Sequence, residues 1–212
     1  ICTWGGSAAR ALSSIQWASH RPHRDYLPAL QVLTTALVFS LPKMEGHGIG
    51  NVAMSTASQR ACDRRVLWSL GISGDRPLVL IMAGSPQGMG LLRTMAQALR
   101  EWARGGLACD MVVLSSEAHS YQMPLQRELT LLREHHDADL LTRAALPVTT
   151  LQLLRMDELS VAQLSTFASL ARITLHADGR PLMHQVKAWI ADQGSSTAWA
   201  WRDGATDEVP TH

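Results

Sequence analysis

The chain has 212 residues, 46% of them apolar, and a formal net charge of +1. That length can bury a sizeable core, and the balance excludes both a disordered segment and a nucleic-acid-coating protein. Cys2, Cys62 and Cys109 stand far apart and form no CxxC pair, so neither a disulfide framework nor a zinc site is indicated and a reducing compartment fits.

Residue 1 is Ile, and no signal peptide opens the chain, which therefore reads as an excerpt. Ser7 to Ser19 places Ala8, Leu12 and Ile15 on one face, which predicts a helix ending before His20-Arg21-Pro22. Asp25 is positioned to cap a second helix from Tyr26 to about Ser40, closed by Pro42, and the two predict a helical hairpin. The apolar run Ala29 to Leu41 is interrupted by Gln31, Thr34 and Thr35 and is too short for a membrane span, so it reads as a buried helix. Lys43 to Ala53 is a glycine-containing loop, followed by a weaker helical segment from Ser55 to about Val66.

The most ordered pattern comes next. Pro77 to Met82 (PLVLIM) is an unbroken apolar run of the kind that suits a strand covered on both faces. After a glycine-containing turn, Leu91, Met95, Leu99 and Trp102 recur at helical spacing, Gly105 and Gly106 stop the helix, and Cys109 to Leu114 is a second strand. Strand, helix and strand make a βαβ unit. Pro124 then sits in the first turn of a helix with Leu125, Leu129 and Leu132 inward, expected to end near His135. Asp137 to Val148 is a connector without a clear pattern, and Leu151 to Leu154 is a short strand. Ser160 and Gln163 have capping-box spacing, Ile173 to Leu175 is a fourth strand closed by Ala177-Asp178-Gly179, and Pro181 opens a helix to about Ile190.

The sum is a three-layer α/β domain, Rossmann-like or flavodoxin-like, with a mostly parallel sheet of about four strands, preceded by the helical hairpin. The expected divisions are a helical linker region at 1–66, the α/β domain at 67–192, and a tail or linker at 193–212.

Chemistry is sparser. Gly84, Gly88 and Gly90 invite a phosphate at the following helix N-terminus, but the spacing is neither GxGxxG nor GxxxxGK[ST], and Asp110 opens the next strand rather than closing it. His20 with His23, and His135 with His136, Asp137 and Asp139, resemble ligand pairs, yet the first flanks a proline and the second suits a helix end. Glu117 and His119 follow the second strand, whereas Ser73 and Asp75 precede the first, so they belong at opposite ends of adjacent parallel strands and make no Ser-His-Asp constellation. Of the seven tryptophans, Trp102 and Trp189 fall on apolar helix faces, and Trp68, Trp199 and Trp201 are the exposed candidates for stacking on a sugar.

The segment Leu67-Trp68-Ser69-Leu70-Gly71-Ile72-Ser73-Gly74-Asp75-Arg76-Pro77 resembles a distinctive part of the cyclic β-1,2-glucan synthase family, whose text is close to LWG-x-x-ISGD-x-P before an apolar strand. Leu91-Leu92-Arg93 through Trp102, Gly106 to Asp110, Glu117-Ala118-His119-Ser120-Tyr121, Arg155-Met156 and Arg172 to Leu175 with Asp178-Gly179 and Leu182 continue the likeness, which covers roughly residues 10 to 190. The resemblance implies a segment of a large bacterial inner-membrane protein. In that family a membrane-linked glycosyltransferase region builds the glucan, a glycoamylase-like region cyclises it, and a region similar to cellobiose phosphorylase trims it.

The family's glycosyltransferase motifs, membrane helices and barrel carboxylates are absent from this stretch, so the resemblance implies an internal segment, on the cytoplasmic side, without a catalytic residue, cofactor or metal of its own. Its expected partners are neighbouring domains and a β-glucan, with Trp68, Ser73, Asp75, Glu117 and His119 as the substrate-binding candidates, and no nucleic acid. Two other classes stay open: a stand-alone Rossmann-like enzyme holding a phosphate-bearing ligand at Gly84 to Gly90, and a non-catalytic interaction scaffold.

Overall fold

A computed structural model describes residues 26–38, 65–117, 123–141 and 149–191. Helix α1 (Leu27–Val38) and the single turn α2 (Arg65–Trp68) precede strand β1 (Leu78–Ala83). Then follow α3 (Met89–Arg104), β2 (Asp110–Ser115), α4 (Pro124–Leu141), β3 (Thr150–Arg155), α5 (Val161–Leu170), β4 (Ala171–Ala177) and α6 (182–191). The four strands form one all-parallel sheet in the order β3-β2-β1-β4. This is the expected α/β class and is consistent with a Rossmann-like fold.

The two central strands are apolar throughout because both faces are covered: all six residues of β2 are buried, as are all but Met82 in β1. Val79, Ile81, Met111, Val113, Ile173 and Leu175 join α1, α3, α4 and α6 in one core. Leu78, Leu80, Val112 and Leu114 join Leu67, Ile72 and Phe167 in a second core on the other face. Each such fully buried aliphatic side chain contributes about 1.5 to 3 kcal/mol.

Local chemistry sets the joints. Gly106, with φ of 85°, turns the chain out of α3, as the glycine pair predicts. The capping box at α5 is complete: Ser160 Oγ accepts from the Gln163 N–H at 3.2 Å, and Gln163 Oε1 accepts from the Ser160 N–H at 2.8 Å. Thr34, polar inside a buried helix, accepts from Trp102 Nε1 at 2.8 Å and donates to the Leu30 carbonyl at 2.7 Å. That relay fastens α1 to α3 and leaves the indole N–H satisfied.

One expectation is corrected. The helix from Pro124 does not end near His135 but continues to Leu141. His136 extends the inward stripe of Leu125, Leu129 and Leu132 by another turn, so the pair His135-His136 lies within the helix rather than after it. The helix expected at Ser7 to Ser19, most of the one at Ser55 to Val66, and the tail lie outside the described residues. The hairpin is therefore seen in one arm only.

The glycines after β1 differ in role. A Cβ on Gly88 would lie 2.0 Å from the Ala177 carbonyl oxygen, whereas one on Gly90 would meet nothing within 4 Å. Gly88 thus lets the turn seat directly on the end of β4. Gly88→Ala is expected to destabilise the fold by about 1 to 3 kcal/mol or more, while Gly90→Ala, inside a helix, is expected to be neutral or stabilising by up to about 1 kcal/mol. Urea denaturation of the two variants beside the parent measures the difference.

Candidate functional site

The residues from Leu67 to Pro77 fold as a helix stop. Ile72 N–H donates to the Leu67 carbonyl at 3.1 Å and Gly71 N–H to the Trp68 carbonyl at 3.0 Å, with Gly71 at φ 74°. These are the two bonds of a Schellman motif, and the Leu67 and Ile72 side chains meet in the second core as its hydrophobic contact. Leucine, glycine and isoleucine at this spacing therefore have a physical reason. Gly74, at φ 73°, turns the chain again before β1.

Trp68 projects outward from this turn, 61% exposed, and its Nε1 donates to the Ser73 carbonyl at 3.3 Å. Ser73 Oγ accepts from the Asp75 N–H at 3.3 Å. Three of the five residues singled out in the sequence thus share one short surface turn at the N-terminal end of β1. Behind them, Asp110 Oδ1 accepts from Arg76 at 3.2 Å and from Thr150 Oγ1 at 2.9 Å. This nearly buried carboxylate ties the starts of β1, β2 and β3 together, which is the role a carboxylate at the beginning of a strand can play. Its neighbour Cys109 is fully buried, and burial together with the Asp110 charge raises its thiol pKa, leaving it an inert core residue.

Glu117 is at the opposite end of the sheet, beyond β2, so it does not join Trp68, Ser73 and Asp75. Its carboxylate accepts from the Leu125 N–H at 3.0 Å and the Gln126 N–H at 2.9 Å, capping α4 from eight residues upstream. His119 lies outside the described residues. The other ionisable groups at this end are also engaged locally. Arg155 binds Asp157 at 2.8 Å, a hydrogen bond that raises its pKa. For Asp178, burial pushes the pKa up, but bonds from the Arg180 N–H and guanidinium outweigh it and hold the carboxyl below its usual range.

Sequence reasoning placed His136 at a polar helix end and missed its burial. It is fully buried, and neither ring nitrogen has a hydrogen-bond partner. Burial, with the Arg100 charge on α3 adding to it, lowers its pKa, while Asp137 and Asp139 oppose the shift. The signal in the sequence was the leucine stripe of α4, which runs through position 136 once the helix is allowed its full length.

A groove of about 630 Å³ runs along α3 and α4, lined by Tyr26, Arg93, Gln97, Arg100, Glu128 and His135 among others. The Arg93–Glu128 ion pair, at 3.0 Å, bridges its two helices. None of the five glucan candidates lines it, whereas Gly90 and His135, considered in the sequence for a phosphate and a metal ion, do. Among the described residues, no group of three or more His, Cys, Asp and Glu side chains is placed to hold a metal ion, and no helix is long and apolar enough to cross a membrane. Compared with known proteins, the chain matches no protein-family model and no curated sequence.

Two outcomes are expected. Glu117→Ala should cost about 1 to 3 kcal/mol by leaving two amides at the start of α4 without their acceptor, measured by urea denaturation, with hydrogen exchange at Leu125 and Gln126 rising first. Stability should also depend on pH through His136. The folded pKa is depressed below the unfolded value of about 6.5, so the contribution is complete above about pH 6.5 and is lost as pH falls towards the folded pKa. Melting temperatures of parent and His136→Leu between pH 5 and 8 check this: the parent should lose more stability on acidification than the variant.

Proposed function

We propose that the chain is an internal α/β segment of a cyclic β-1,2-glucan synthase-like polypeptide, lying on its cytoplasmic side and acting as a structural and glucan-guiding element, with catalysis carried by other regions. The observation that supports this reading is the fold of the most specific part of the resemblance. Leu67 to Pro77 forms a hydrogen-bonded turn with two left-handed glycines, and that turn presents Trp68 to solvent beside Ser73 and Asp75.

A sugar site needs an aromatic face for the apolar side of a pyranose ring and polar groups at its rim. Trp68 offers the face, held by its bond to the Ser73 carbonyl, and Ser73 and Asp75 supply the rim. Glu117 is set aside from this role because both its oxygens cap α4. The partners that follow are the neighbouring domains and a β-glucan strand. A phosphate at Gly84 to Gly90 is the weaker alternative, since Gly88 is accounted for by its contact with Ala177.

In the complete polypeptide, Trp68→Ala and the pair Ser73→Ala with Asp75→Ala are expected to weaken retention of linear β-1,2-glucan severalfold and to shift the ring-size distribution of the product. Unchanged retention, cyclisation and chain length in these variants would remove the glucan-guiding role. Sequencing the coding DNA on both sides tests the wider reading. Glycosyltransferase and phosphorylase-like frames are expected there, and start and stop signals immediately around these residues would overturn it.

A further inference from the structure

β4 is the last strand on its side of the described sheet, yet its edge is not left open. The His176 N–H donates to Gln185 Oε1 at 2.9 Å, and Gln185 Nε2 donates to the His176 carbonyl at 2.9 Å. A second, longer contact of Nε2 reaches the Arg180 carbonyl at 3.5 Å. One side-chain amide therefore serves both peptide groups that His176 turns away from β1, as the backbone of a neighbouring strand would.

The amide is firmly placed. Gln185 is only 8% exposed, and it sits on α6 between Leu182 and Val186, both fully buried in the first core with Trp189 close behind at 7% exposure. The helix thus carries a strand-like hydrogen-bonding unit to one position of the edge. Exposed edges of this kind template pairing with another chain, and the β4 sequence ARITLHA, with β-branched residues and a single charge, has little else to discourage it.

We propose that Gln185 is the stop that ends the sheet at β4, and that without its amide the β4 edges of two copies pair antiparallel about a two-fold axis. The inference stands on this edge alone and does not depend on the function proposed above. Gln185→Met and Gln185→Leu keep an apolar side chain of similar size in place and remove the amide. Sedimentation velocity over a hundredfold concentration range, with hydrogen exchange at His176 and circular dichroism on the same samples, provides the test. The expected result is a folded protein with at least tenfold faster His176 exchange in the dilute monomer, which dimerises as concentration rises while the parent stays monomeric. Folded variants that stay monomeric at all concentrations would overturn the proposal whether or not His176 exchange changes, since α6 would then close the edge by bulk. Loss of the fold in both variants would overturn it as well, by making Gln185 an anchor of α6 rather than a stop on the sheet.

Discussion

A parallel sheet leaves no face for water, and the rest of this molecule follows from that constraint. The central strands are apolar on both sides, so two separate cores are needed, and the chain supplies them unequally. Among the described residues, one face receives α1, α3, α4 and α6, while the other receives the turn α2, the helix α5 and the loop between Leu67 and Ile72. The thinner face is where that loop matters most, because Leu67 and Ile72 are both core residues and parts of a helix-stop motif. The same bonds that end α2 therefore place Trp68 outside and Ile72 inside.

The polar groups of the fold divide between the two ends of the sheet. At the start of the strands, Asp110 joins Arg76 and Thr150, and the Trp68 turn lies on the surface above them. At the ends of the strands, Glu117, Arg155 and Asp178 each bind a nearby backbone or side-chain group. This end is where open α/β sheets usually bind ligands, at the point where strand order reverses. Here that point lies between β1 and β4, and Gly88 brings the β1 turn onto the Ala177 carbonyl within it. The glucan contact proposed above is at the other end, where Trp68 is exposed.

Much of the architecture was legible in the residues. Apolar runs marked the strands, helical spacing marked α3, and the Ser160–Gln163 pair marked the start of α5, since each depends on interactions within a few residues. The candidate site was legible only in part. Trp68, Ser73 and Asp75 are close in sequence and remain close in space, whereas Glu117, expected at the opposite end of the sheet, caps α4 there. Nothing local to Glu117 announces a bond to Leu125 and Gln126. The end of α4 was misplaced for a related reason: His135, His136 and Asp137 look like a polar helix terminus until the inward stripe is extended through His136.

The sequence by itself determined the class of fold, the two-sided burial of β1, and the strand-helix-strand order that leads into β2. These follow from side-chain polarity, spacing and backbone sterics, which act over short distances. Only the tertiary structure decided that Thr34 would meet Trp102, that Gly88 would meet Ala177, and that Gln185 would reach the edge of β4. Each of those contacts joins elements brought together by the packing of two layers, and a hydrogen bond or a missing Cβ acquires its meaning only when the second partner is in place.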